Sequence, residues 1–148
     1  MILFGDKTVA LFDLWSFEHF FTGCNSALFA AFLVRKFYSG NDDKIFFKFQ
    51  VLILAVLEIY WESLEYYLED GASYDVVTYW FQGVEYIGNR LITDPIVTIA
   101  GLFFIRKFPK IKYFSIPFSL IWLYVHIFVF NHCMAVQDLM YNYFGIVE

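Results

Sequence analysis

The chain has 148 residues, of which 60% are hydrophobic, 24% aromatic and only 17% charged, with a mean hydropathy of +0.58. Water-soluble domains carry about 25% charged residues, so the composition excludes an ordinary soluble domain and indicates a single integral membrane domain. The net charge of −5 argues against a nucleic-acid partner; membrane lipids, and other membrane subunits, are the neighbours to expect.

In chain order, residues 1–12 lack a cationic n-region followed by an apolar core, so a cleaved signal peptide is not expected. Four stretches are then long and apolar enough to cross a bilayer, at about residues 14–34, 46–68, 87–105 and 113–136. In the first, His19 shares a helix face with Thr22, Gly23 and Ser26, small and hydroxyl residues that let a neighbouring helix approach closely. The second carries Glu58, Glu62, Glu65 and Glu69 at i, i+4, i+7 and i+11, one stripe of a helix that repeats every 3.6 residues. Residues 69–86 contain Gly71, Gly83 and Tyr79-Trp80-Phe81, which predicts a loop and a short helix in the membrane interface. The third stretch opens with Asn89, Arg90, Asp94 and Pro95. The fourth holds Pro117, His126, His132 and Cys133. The two histidines are six residues apart and point about 120° apart on a helix, so they do not make a shared metal site. With only Cys24 and Cys133 there is no disulfide framework.

Basic residues give an orientation. Arg35, Lys36, Lys44 and Lys48 flank the first loop, and Arg106, Lys107, Lys110 and Lys112 make the third. The positive-inside rule puts both loops in the cytoplasm. That requires four spans with both termini on the non-cytoplasmic side. The expected fold is therefore an all-α membrane bundle of about four transmembrane helices.

Given that topology, polar residues of separate spans share one depth near the outer leaflet. Carboxylates inside hydrocarbon cost a few kcal/mol each, so the stripe must face a polar interior, a ligand or a partner. Glu62 and Glu65 are candidate metal ligands or bases, His19 a nitrogen ligand or general acid–base, and Asp94 a supporting carboxylate. Asn89 or Arg90 would contact substrate. Carboxylates and neutral imidazole suit divalent first-row metals. The plainer alternatives are a buried network with Glu62 paired to Arg90, and an Arg90–Asp94 pair one turn apart; Glu69 with Asp70 reads as a solvated helix end. Nothing resembles a Gly-rich phosphate loop, a His-Glu-x-x-His helix or a nucleophile elbow, so no reaction class is named.

Trp15-Ser-Phe-Glu-His19-Phe-Phe-Thr-Gly23, Glu58-x-x-Trp61-Glu62-x-x-Glu65 and Gly83-x-Glu85-x-x-x-Asn89 with Asp94 together resemble the VanZ-like superfamily of small membrane proteins, and most nearly a short branch of unknown function. The resemblance covers residues 15–101, and the Glu-x-x-Trp-Glu-x-x-Glu block is its most specific part. The chain departs from the pattern at Glu85, where Asp is expected, and in an Asn-to-Asp spacing one residue longer. The resemblance implies a multi-pass membrane fold and supports the site's location. Two functions follow as expectations: a metal-binding or lipid-directed site, or a non-catalytic accessory subunit of a larger membrane complex.

Overall fold

The computed structural model describes residues 2–71 and 74–144. It is mainly helical. A two-stranded parallel ribbon, β1 (Ile2–Phe4) and β2 (Ala10–Phe12), precedes the helices, with Ile2 opposite Ala10 and Phe4 opposite Phe12. Then come α1 (Trp15–Phe37), α2 (Asp43–Glu69), the short α3 (Asp75–Phe81), α4 (Asp94–Lys107), α5 (Lys112–Tyr124) and α6 (Ala135–Phe144). Two π-helical segments extend these elements: Asn89–Thr93 leads into α4, and Val125–Val129 continues α5.

Local chemistry explains the boundaries. Asp13 accepts the Ser16 backbone N–H at 2.9 Å and closes the first turn of α1. Asp42 caps α2 by accepting the N–H groups of Lys44 and Ile45. Pro95 sits in the first turn of α4, where its missing N–H costs no hydrogen bond. Gly71 and Gly83 take positive φ around the α2–α4 connection. Within that connection α3 forms, and its Trp80 indole donates to the His126 carbonyl at 3.0 Å.

Glycine governs how α1 meets α4. A Cβ on Gly23 would lie 2.3 Å from the Thr98 carbonyl oxygen, and one on Gly101 2.3 Å from that of Phe20. Only a bare backbone fits at both crossings. Cys24, Ala27, Leu54, Leu102 and Ile105 fill the apolar core beside this contact. Polar bonds hold α5 to α1: Ser115 donates to Asn25 at 2.8 Å, and the Asn25 amide donates to Ser119 at 3.1 Å. At the end bearing the two basic loops, Arg106 donates to Gln50 at 3.1 Å and pairs with Asp43 at 3.0 Å. Both loops therefore share one end of the bundle, and the glutamates of α2 rise toward the other.

The residue distribution is inverted relative to a water-soluble protein. Asp13, Asn89, Asp94, Thr98 and His126 are fully buried, whereas Phe32, Ile59, Leu120, Ile121 and Phe128 are exposed. Among the described residues two helical segments, Trp15–Phe37 and Pro109–Val129, are long and apolar enough to cross a membrane. The 27-residue α2 is longer still but carries the glutamate stripe.

Candidate functional site

At the end of the bundle away from the basic loops, α1, α2 and the start of α4 enclose a layer of charge. The close α1–α4 crossing puts His19 beside Asp94, with the imidazole Nε2 3.6 Å from a carboxylate oxygen. The other ring nitrogen, Nδ1, lies 3.5 Å from Glu58 and 3.8 Å from Glu62. All three distances exceed a good hydrogen bond, so the ring stands among three carboxylates without closing on any of them. From α4, the Thr98 hydroxyl donates to Glu58 at 2.9 Å and lies 3.3 Å from the His19 carbonyl. It has one proton to give, and the shorter contact identifies Glu58 as the acceptor.

Glu62 and Asp94 are almost completely buried, and neither oxygen of either carboxylate has a hydrogen-bond partner. Nor does His19 Nδ1. Buried polar groups are nearly always satisfied. The open atoms here are mostly acceptors, with one open donor, Arg90 Nε, 3.5 Å from Glu62; such an arrangement could hold a cation. Two groups qualify by proximity, with donor atoms all within 4.8 Å of one another: His19, Glu58 and Glu62, and Glu62, Glu85 and Asp94.

Beside this cluster runs an ion-pair lattice. Glu69, predicted to be a solvated helix end, is instead 2% exposed. It accepts from Lys7 at 2.7 Å, from Arg90, and from the Glu85 backbone N–H at 3.0 Å. The reason is tertiary: the N-terminal ribbon and the α2–α4 connection both fold back over the end of α2, and the Tyr86 N–H donates to the Lys7 carbonyl at 2.8 Å. Asp70, next to it, is exposed.

Arg90 turns to Glu69, with Glu62 and Glu85 at 3.5 and 3.4 Å, and its guanidinium lies over the Tyr66 ring. It does not face Asp94 as an α-helical i, i+4 spacing predicts. The π-helical turn is the cause: the Asp94 N–H bonds back five residues, to the Asn89 carbonyl, so residues four apart no longer superpose. Asn89, fully buried, donates its amide to Glu85 at 2.7 Å. Glu85 lies outside the two segments long and apolar enough to cross a membrane; burial, and next the Asp94 carboxylate beside it, push its carboxyl pKa up to about 10.

The structure thus brings His19, Glu62, Asp94, Asn89 and Arg90 into one layer. Glu65 is half-buried and lines a separate cavity of about 60 Å³ with Lys7, Asp13, Trp61, Trp80 and Glu85. Sequence reasoning omitted Lys7, Glu58, Glu69, Glu85 and Thr98 from the candidate set. Glu58 and Glu69 had a local signal, lying on the same stripe as Glu62, and Glu85 stood in the Gly83-x-Glu85-x-x-x-Asn89 block; Lys7 and Thr98 had none. His126 and His132 go separate ways: the former bonds through Nδ1 to the Trp122 carbonyl at 2.9 Å, and the latter lies 3.8 Å from Asp138. Cys24 and Cys133 are both free thiols.

A groove of about 570 Å³ between α2 and the start of α4 opens onto the cluster. Leu54, Ile59, Ile87, Leu91 and Ile99 form its walls, and Glu58, Glu62, Arg90 and Thr98 also line it. Its outer rim is apolar, since Ile59 and Leu91 are well exposed. Comparison with family models, with characterised proteins and with solved structures finds no match to this chain.

Proposed function

We propose that this is a four-span membrane protein of VanZ-like type, with its termini on the non-cytoplasmic side, that binds a divalent cation at His19, Glu58 and Glu62 and acts on an amphiphilic or lipid-linked substrate. The observation that carries this reading is the set of open acceptors, His19 Nδ1 and both Glu62 oxygens, with Glu62 and Glu58 lining a groove with apolar walls and His19 directly behind them. Neutral imidazole with carboxylates fits Mn²⁺, Fe²⁺ or Zn²⁺. Asp94 faces the opposite ring nitrogen of His19, where a carboxylate fixes the tautomer that leaves Nδ1 free to ligate.

The apolar outer surface and the inward polar layer support residence in a bilayer. The shared end of the two basic loops supports the orientation, because both then meet the same, cytoplasmic, face. Sited between α2 and α4, the groove would admit an acyl chain from the side and bring a polar headgroup to the cation. An accessory-subunit role would need the glutamate stripe to face a partner, yet Glu58 and Glu62 point inward at His19.

The test is metal content of detergent-purified protein by plasma mass spectrometry, beside Glu62→Gln. Near-stoichiometric metal, lost in the variant, is the expected result. Absence of metal from the wild-type chain after reconstitution with manganese, zinc or iron would remove the cation from the proposal.

A further inference from the structure

One cation does not satisfy this cluster. A metal taking His19 Nδ1, Glu58 and one oxygen of Glu62 leaves the other Glu62 oxygen, the Asp94 oxygen that does not face His19, and one of Glu85 buried without a hydrogen bond. Those leftover atoms belong to the second convergent group, Glu62, Glu85 and Asp94. Glu62 is common to both groups. We infer that the site holds two divalent cations side by side, bridged by the Glu62 carboxylate. The inference rests on the proposed reading that the cluster binds metal at all.

Charge points the same way. Asp13, Glu58, Glu62, Glu69, Glu85 and Asp94 are buried in this region, and Lys7 and Arg90 are the permanent cations buried with them. Buried carboxyl groups outnumber the buried cations here, and one held neutral, such as Glu85, would give up its proton on taking a metal. Burying unpaired carboxylates is strongly unfavourable. Arg90 does not fill the second position: it is bonded to Glu69, and its contacts to Glu62 and Glu85, at 3.5 and 3.4 Å, are longer than good hydrogen bonds.

Geometry also favours a pair. Metal pairs in two-metal sites stand about 3.5–4 Å apart, and a carboxylate with two free oxygens can reach one metal with each. The two positions differ in character. The His19 position offers nitrogen and oxygen and accepts zinc, iron or manganese; the Glu62–Glu85–Asp94 position offers oxygen alone and suits a hard ion such as Mg²⁺ or Mn²⁺. Mn²⁺ fits both, which makes it the probe.

Full-length protein in detergent is stripped with chelator, reloaded with Mn²⁺ and desalted. Bound manganese is then counted by plasma mass spectrometry, with electron paramagnetic resonance on the same samples. Two Mn²⁺ per chain with an exchange-coupled spectrum are expected in the wild type. Glu85→Gln and Asp94→Asn should each retain one ion with the spectrum of an isolated centre, Glu58→Gln likewise, and Glu62→Gln should abolish the coupling. Circular dichroism and a single elution peak qualify each variant as folded; Asp94→Asn serves if Glu85→Gln does not fold. One Mn²⁺ in the wild type, unchanged by Glu85→Gln and Asp94→Asn, overturns the second position while the single-cation site stands. Two uncoupled ions overturn the Glu62 bridge. No manganese in the wild type overturns both.

Discussion

Two seams run along α4, and they are built differently. Against α1 the contact is backbone on backbone, made possible by Gly23 and Gly101, with no room for a methyl group at either crossing. Against α2 the helices stand apart around a 570 Å³ groove. There the connection is polar, through Thr98 to Glu58 at 2.9 Å and Arg90 to Glu69. Without a strong hydrophobic drive inside a bilayer, helices associate by close packing or by hydrogen bonds. This chain uses the first where nothing need enter and the second where the site is. The tight seam is a frame, and the open seam is a mouth.

The largest expected effect comes from the frame. Gly23→Leu puts a side chain into the Thr98 backbone and should abolish the folded bundle. A single elution peak with wild-type thermal stability would show that the two seams do not differ as described. Next is Arg90→Leu, which leaves the buried Glu69 with Lys7 as its one charged partner beside the Glu85 N–H and removes the charge beside Glu62 and Glu85. Breaking a buried pair costs about 3–5 kcal/mol, to be read as a lowered unfolding midpoint in detergent, while α1 and α4 stay in contact by cysteine cross-linking across the tight seam.

The third expected effect is a pH slope. A carboxyl raised in the folded state from 4.5 to about 10 contributes its stability in full below pH 4.5 and loses it as pH rises toward 10. Metal-free protein should therefore lose stability as pH rises from 5 to 9, because the unfolded chain gives up a proton that the folded state keeps. Glu85→Gln mimics the protonated form and should flatten that slope. An unchanged slope would remove Glu85 as its source.

Much of the frame could be read from local pattern. The α2 stripe obeys the 3.6-residue repeat, and the small face of α1 around Gly23 announces a close neighbour. Depth arguments then put His19, Glu62 and Asp94 together. What stayed hidden depends on contacts distant in sequence or on departures from ideal geometry. Glu69 precedes Asp70 and Gly71, a sequence that looks like a chain leaving for solvent, and its partner Lys7 is 62 residues away. Three-residue strands such as β1 and β2 are too short to show a period of two. The π-helical turn at Asn89–Thr93 is not visible as a period in the residue pattern, yet it separates Arg90 from Asp94, turning the first to Glu69 and leaving the second beside His19.

The Lys7–Glu69 bond also has a meaning in time. A ribosome releases Lys7 long before Glu69 exists, and Tyr86, whose N–H fastens the same residue, emerges later still. An ammonium group must wait unpaired while α1 and α2 are made, and the site can be locked only after the residues leading into α4 have followed. The cluster is thus completed only when the start of α4 has been made, and a chain halted before Arg90 would hold its glutamates with no guanidinium to meet them.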